Sequence, residues 1–330
     1  MMRLSELKSS FWQAAGSSAS IGIMSHIEPD GDGFAASIAL QELLRARGYR
    51  SEIVVDEGNL SRFAFLMENA ELVQFSTELH YEMLVILDCN SYDRLGDRAA
   101  LVSQASRLFL FDHHIPEGKL IETPGSFIDK KFATVGLILF ETFRDDILAL
   151  DEAHKIAIGN CLYTTILNDT NNFVNANTNP DVFRYASEIA ELGIKAHELY
   201  KAFFLNQSAS EMRYVGQSLA TIELHLDDRI LVLYSDLKMQ EENRISPDSI
   251  MSITRYVQGV KDIEGIVYLR EDAPGEYKVS MRSVHLDVNK VARKYGGGGH
   301  RSASGCSLKG EMKEIRRLIL ADLAEQLPAN

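Results

Sequence analysis

Three short apolar runs, each ending on an aspartate or a histidine, limit most strongly how this chain can fold. Ala19–Ser25, Met83–Leu87 and Arg107–Phe111 read as strands, and they lead into His26-x-x-x-Asp30-x-Asp32, Asp88 and Asp112-His113-His114. A fourth acidic position, Asp169, closes the long apolar helix pattern Glu152–Leu167. Ligands of an open α/β sheet bind at the carboxyl ends of its strands. One such segment could be accidental. Four of them, offering only hard oxygen and imidazole donors, suggest a two-metal site for phosphoryl chemistry.

Between these segments the pattern alternates strand and helix. Ile21–Ser25 is followed by a helix at Gly33–Arg47, with Ala36, Leu40, Leu43 and Leu44 on one face and Gly48 closing it. Strands at Glu52–Val55, Leu72–Phe75, Met83–Leu87 and Leu108–Phe111 alternate with short helices at Leu60–Met67 and Asp97–Gln104. This rhythm predicts an α/β domain with a doubly wound, mainly parallel sheet. A helical connection follows, at Thr134–Phe143, Glu152–Leu167, Pro180–Leu192, Lys195–Leu205 and Ser208–Ala220. The last third is a smaller α+β unit. Its strands are Arg229–Tyr234, Gly265–Arg270 and Tyr277–Arg282, and its helices Ile250–Val257, Val288–Lys294 and Glu311–Leu327. The expected domains are 1–206 and 207–330, with the active site in the cleft between them.

Composition narrows the function. A net charge of -13 argues against a grip on long nucleic acids, which relies on many Lys and Arg contacts to phosphates. It leaves room for a small phosphate-bearing substrate, because two metal ions invert the local field. Cys89, Cys161 and Cys306 form no CxxC pair, so neither a disulfide framework nor a zinc finger is supported, and a reducing cytoplasm fits. Met1–Ser20 is polar and mixed, without the pattern of a signal peptide. No apolar run approaches the roughly 18 residues that span a bilayer, so no membrane association is expected.

Each segment also has an ordinary reading. Alone, Pro29–Gly33 reads first as a Pro-Asp-Gly turn, with Gly31 and Gly33 letting the backbone bend; as a ligand segment it aims Asp30 and Asp32 at one metal or at two adjacent ones. Asp88 is a turn cap or a ligand. Asp112-His113-His114 is the most specific element, with Asp112 as the carboxylate that orients a metal-bound imidazole. Asp169 opposes the helix dipole and needs a compensating cation. In the last third, Gly296–Gly299 followed by His300 is either a flexible linker or a loop whose N–H groups wrap a phosphate. Arg282 is a surface arginine or a bidentate phosphate ligand.

The segments SHIEPDGDG (25–33), LDCN (87–90), FDHH (111–114) and ILNDT (166–170) resemble motifs one to four of the DHH phosphoesterase superfamily. YKVSMRS (277–283) and DVNKVARKYGGGGHRSASG (287–305) resemble its DHH-associated C-terminal domain. The overall pattern is nearest the branch of oligoribonucleases (nanoRNases) and 3',5'-adenosine bisphosphate (pAp) phosphatases. The resemblance implies one metal on His26, Asp30 and Asp88 and another on Asp32, Asp88, His113 and Asp169. It makes His114, with Asp112, catalytic, and makes Arg282, Ser283, Gly298, Gly299 and His300 substrate contacts. Asn171-Asn172 departs from this branch, which often has Gly after the fourth motif. The expected reaction is hydrolysis of short oligoribonucleotides, of the 3'-phosphate of pAp, or of both, by a hydroxide made on two divalent ions. Manganese is preferred over magnesium or cobalt. Cyclic or linear dinucleotides are the alternative substrate class. A pyrophosphatase, an exopolyphosphatase and a non-catalytic nucleotide-binding protein rank below, and a homodimer is left open.

Overall fold

The computed structural model of the chain describes residues 4–56, 60–116, 118–245 and 253–327. Its contacts divide it into two units, Met1–Asn206 and Gln207–Asn330, each built on a six-stranded sheet.

The first unit runs α1 (Leu4–Ala15), β1 (Ile21–Met24), α2 (Gly31–Ala46), β2 (Glu52–Val55), β3 (Leu72–Gln74), β4 (Met83–Leu87), α3 (Ala99–Gln104), β5 (Arg107–Asp112), β6 (Gly125–Ile128), α4 (Val135–Leu148), α5 (Glu152–Asp169), α6 (Pro180–Ala190) and α7 (Ala196–Phe204). The strand order is β3-β2-β1-β4-β5-β6, and every pair is parallel. The winding reverses between β1 and β4, where a doubly wound sheet leaves a crevice at its strand ends. All residues of β1 and β4 are buried, as a parallel sheet covered on both faces requires. Leu84 and Ile86 pack with Leu101 and Val102, forming one of the cores of the unit. Each such side chain contributes roughly 1.5–3 kcal/mol on burial, so the strand ends are anchored in a rigid core.

Several elements depart from the sequence expectation. The mixed N-terminal stretch forms α1, whose Leu7 and Phe11 are fully buried. Phe11 meets Phe109 edge-on at 5.2 Å, and the Arg47 guanidinium covers Trp12 at 4.3 Å. Leu7, Phe11, Ala14 and Ala15 recur at helical spacing, a short periodic signal that the polar, mixed composition of the stretch masks. β6 has no sequence signal: a Cβ on Gly125 would lie 2.4 Å from the Leu108 carbonyl, so glycine lets this edge strand close on β5. α4 continues past Phe143, which sits off helical geometry at φ -113°, ψ 16°.

The second unit contains α8 (Ala209–Leu219), β7 (Glu223–His225), β8 (Ile230–Ser235), α9 (Leu237–Asn243), β9 (Gly265–Ala273), β10 (Glu276–Ser283), α10 (Val288–Lys294), β11 (Gly298–His300), β12 (Ala303–Lys309) and α11 (Met312–Ala324). Its order is β11-β12-β10-β9-β8-β7, with β8 and β9 parallel and the other pairs antiparallel. Of the helix expected at Ile250–Val257, residues 250–252 lie outside the described ones, and Ile253–Tyr256 is a 3-10 turn. The glycine run is no linker. Gly298 and Gly299 belong to an edge strand paired with β12. A Cβ on Gly297 would lie 2.1 Å from the Gly305 carbonyl, and Gly299 adopts φ 133° against Ala303. Close strand approach is what demands glycine there. Among the described residues, no helix is long and apolar enough to cross a membrane.

Candidate metal centre

The centre is assembled from the ends of β1, β4 and β5 and the last residue of α5. The His26 Nδ1 lies 2.7 Å from the Ile27 carbonyl. A carbonyl only accepts, so Nδ1 carries a proton and Nε2 is the ring atom left to ligate a cation. That nitrogen faces Asp88 Oδ2 at 3.6 Å and Asp30 Oδ1 at 3.9 Å. Asp30 caps α2, its Oδ1 accepting from the Asp32 and Gly33 N–H groups at 2.9 and 3.3 Å. Asp32 lies inside the first turn of α2 and is fully buried. Its Oδ2 accepts from Val135 N at 2.7 Å and its Oδ1 from Gly136 N at 3.2 Å, at the N-terminus of α4. Helix N-terminal amides favour such a negative group.

Gly31 and Gly33 have a role different from the one expected. Both are helical rather than parts of a tight turn. A Cβ on Gly31 would lie 2.7 Å from Asn168 Oδ1, and one on Gly33 would lie 2.9 Å from Ser25 Cβ and 3.3 Å from Asp88 Oδ2. They let the start of α2 approach α5 and the strand ends.

Asp88 adopts a left-handed backbone at φ 59°, a conformation that costs a non-glycine residue about 1–3 kcal/mol. Its N–H is tied to the Phe111 carbonyl at 2.9 Å. The outcome is a carboxylate with Oδ2 toward His26 and Oδ1 3.3 Å from His113 Nε2. The same His113 Nε2 is 3.3 Å from Asp32 Oδ2 and 3.2 Å from Asp169 Oδ2. Asp112 orients the neighbouring imidazole instead: its Oδ1 accepts from His114 N at 3.0 Å and pairs with His114 Nδ1 at 2.8 Å. Asn168, which carries no motif signal beyond its place beside Asp169, accepts from Gly31 N and donates to Asp169 Oδ1 at 2.8 Å.

Donor atoms of His26, Asp30 and Asp88 lie within 4.8 Å of one another, as do those of Asp32, His113 and Asp169. His26 Nε2, His113 Nε2, Asp88 Oδ1 and Asp112 Oδ2 are buried without a hydrogen-bond partner. An unsatisfied buried polar group costs about 1–3 kcal/mol, and cations between these groups would satisfy the two imidazole nitrogens and the Asp88 oxygen. Charge points the same way. Burial, then repulsion from Asp169 and Asp88, pushes the Asp32 carboxyl well above the usual range. Burial likewise raises Asp169, with Asp30 and Asp88 adding to it against His113. Burial also disfavours the charged form of Asp88, but the imidazoles of His113, His114 and His26 outweigh it and hold Asp88 well below that range. Burial opposes protonation of His113 and His114. Even so, Asp169, Asp32 and Asp88 raise His113 well above its ordinary value, and Asp112 and Asp88 lift His114 to about 10. Crowded carboxylates that draw protons onto themselves and onto imidazoles form a donor set for hard divalent cations.

In the second unit, Arg282 of β10 and His300 of β11 both stand opposite Ala303 of the strand between them. Residues in register share a sheet face, so the two side chains lie about 10 Å apart, two strand spacings, across a small residue. Burial lowers the Arg282 pKa. Its Nη1 donates to the Met281 carbonyl at 2.9 Å. Ser283 is differently engaged: its hydroxyl donates to the Glu264 carbonyl and accepts from His285 and Leu286 N–H groups, capping a turn.

Residues 20–166 match the model described as the DHH family, N-terminal domain, and residues 228–326 match the DHHA1 domain. A Thermus thermophilus protein named bifunctional oligoribonuclease and PAP phosphatase NrnA is 29% identical over 312 residues, covering 93% of this chain and 90% of its own. A Bacillus subtilis protein of the same name is 24% identical over 308 residues, covering 90% and 91%. The crystal structure of an exopolyphosphatase-related protein from Bacteroides fragilis shares the fold, with a TM-score of 0.86 at 20% identity over 97% of this chain and 95% of its own.

Proposed function

Since the chain belongs to the DHH family and is a metal-dependent phosphoesterase, we propose that it hydrolyses phosphate esters of short nucleotides: nanoRNA, the 3'-phosphate of pAp, or both. The observation that carries this reading is the shared carboxylate. Asp88 turns one oxygen toward the His26 and Asp30 set and the other toward His113. His113 in turn faces Asp32 and Asp169. His26, Asp30 and Asp88 would hold one divalent ion, and Asp32, Asp88, His113 and Asp169 a second, with manganese preferred. Such ions, when bound, bring the pKa of coordinated water near neutrality and offset phosphate charge.

The chain's own groups do the rest. Asp112 fixes the His114 ring through Nδ1, and His114 donates from Nε2 to a phosphate oxygen, stabilising charge that grows in the transition state. Val135 and Gly136 amides favour the ionised form of Asp32 and hold it in place. In the second unit Arg282 and His300 hold a terminal phosphate, with Gly298 and Gly299 lining that position. Ser283 contributes by shaping the turn. The net charge of -13 favours small substrates over long polymers. The three buried, unbridged cysteines suit a reducing cytoplasm.

The test is turnover of pAp, a dinucleotide, a long oligomer, cyclic di-AMP and pyrophosphate under manganese. Release from pAp or the dinucleotide, at least tenfold faster than from the other three, supports the proposal. Preference for pyrophosphate, or for the long oligomer, ends it.

A further inference from the structure

The chain leaves the metal centre through an uncommon turn. Asn171, Asn172 and Phe173 follow Asp169 and Thr170, and all three are left-handed, at φ 47°, 56° and 66°. Asparagine tolerates this backbone; phenylalanine rarely does, and it persists there only where the surroundings fix it. Here they do. Asn171 N donates to the Asn168 carbonyl at 3.1 Å, Asn172 N to the Leu167 carbonyl at 2.9 Å and Val174 N to the Thr170 carbonyl at 2.9 Å. Phe173 N donates to Thr170 Oγ1 at 2.8 Å. The Asn175 and Asn177 side chains donate to the carbonyl of Asp169 itself, at 2.8 and 3.3 Å. The turn is fastened to the residue whose carboxylate faces His113, and Phe173 stays within about one helical turn of it.

The turn delivers a ring stack. Phe173 lies on Phe183 of α6, with centroids 5.4 Å apart and planes 12° apart, and Tyr163 of α5 meets Phe173 at 6.4 Å with a tilt of 56°. α6 buries Val182, Tyr185 and Ile189. Phe183 is off that face and 57% exposed, the only exposed phenylalanine among the described residues, so the packing of α6 does not account for it. Val174, next to Phe173, is 75% exposed. No charged residue lies between Asp169 and Asp181, in a chain whose net charge is -13. A neutral, open aromatic face fastened to a metal ligand suits the flat, uncharged part of a nucleotide, because bases stack on such rings whatever their identity. We propose that the Phe173–Phe183 stack is a nucleobase platform, on which a base of the substrate lies while its phosphate occupies the metal centre. The inference rests on the phosphoesterase reading above and adds a base contact to it.

The experiment uses the full chain loaded with manganese and two probes, AMP and ribose 5-phosphate, which differ only in the base. Calorimetry gives both affinities for wild type, Phe183→Ala and Phe183→Leu, and melting curves show that each variant is folded. Wild type should bind AMP more tightly than ribose 5-phosphate by on the order of 5–100-fold, the range for one base–aromatic stack. Both variants should lose most of that difference and keep the ribose 5-phosphate affinity, since leucine restores apolar area without a flat face. Phe183→Trp should keep the difference, and AMP, but not ribose 5-phosphate, should quench the fluorescence of the added ring. Equal affinity of wild type for the two probes overturns the proposal, as does an AMP preference that survives in Phe183→Ala. If Phe183 covers a second copy of the chain instead, that preference survives and sedimentation of Phe183→Ala shifts to the smaller species. Turnover of pAp and a dinucleotide is read separately: an AMP preference that depends on Phe183 supports the platform even where wild type hydrolyses neither, so failure of the functional reading stays distinguishable.

Discussion

Replacing Asp88 by asparagine strikes the residue that both ligand sets share. Asparagine has the shape of aspartate and tolerates the left-handed backbone seen at φ 59°, so charge is removed and the fold kept. In the metal-free protein, burial raises the Asp88 pKa but the three imidazoles outweigh it and hold it well below the ordinary range. A depressed carboxylate pKa adds stability that is complete above the unfolded value of about 3.9 and fades as pH falls through the folded one. At pH 7.5 the variant therefore loses that contribution, on the order of 1.5–3 kcal/mol for a hydrogen bond to a charged group. For a unit of this size the loss lowers the melting temperature by about 3–12 °C, at 2–4 °C per kcal/mol. The second effect is larger in information. A cation at 100 times its Kd adds about 2.7 kcal/mol per site, or about 5–11 °C by the same conversion. The introduced amide would offer one neutral oxygen where the carboxylate serves two positions, so the manganese-dependent rise should vanish. Calorimetric melting at pH 7.5, in EDTA and then in rising manganese, reads both effects. His154→Ala, which removes the ring paired with Glu42 at 2.7 Å, is the control and should keep the full rise. If Asp88→Asn keeps it too, the shared-carboxylate assignment is wrong.

Metal uptake should release protons. Burial opposes protonation of His113, but its carboxylates raise it well above its ordinary value, so a cation bound there should displace a proton from the cluster, and affinity should fall about tenfold for each unit drop in pH per displaced proton; titration heats identical in buffers of different ionisation enthalpy would contradict this. Gly136→Ala places a Cβ 2.1 Å from Thr165 Oγ1, forcing α4 from α5 and disturbing the amide that holds Asp32. Denaturant unfolding should show a loss of about 1–3 kcal/mol together with weaker manganese binding, and unchanged values for both would refute the packing account. Asp56→Ala strands Arg98, which is 1% exposed and pairs with Asp56 at 3.0 Å. The loss should be about 2–3 kcal/mol, below the 3–5 kcal/mol of a fully buried pair because Asp56 keeps contact with water, and urea unfolding of the variant checks it.

The order of strands and helices, and the acids and histidines at their ends, were legible along the chain. Apolar periodicity is a property of neighbours in sequence, and β4 and α10 fall where the pattern places them. Hard-donor chemistry was legible too, since residue type alone limits what Asp and His can hold. Other features required the folded backbone. That Asp112 steadies His114 and leaves His113 to three other carboxylates depends on the pleat at the end of β5. That Gly31 and Gly33 permit close packing, where a bend was expected, depends on how near Asn168 and Ser25 come. The contacts that hold the loop between His26 and Asp30, Ile27 N to the Arg94 main-chain carbonyl and Arg62 Nη2 to the Pro29 carbonyl, cross segments far apart in sequence. Local pattern encodes which groups each element carries, because propensity and burial act over a few residues. Distances between groups on separate elements are set by packing across the whole unit, and no local signal contains them.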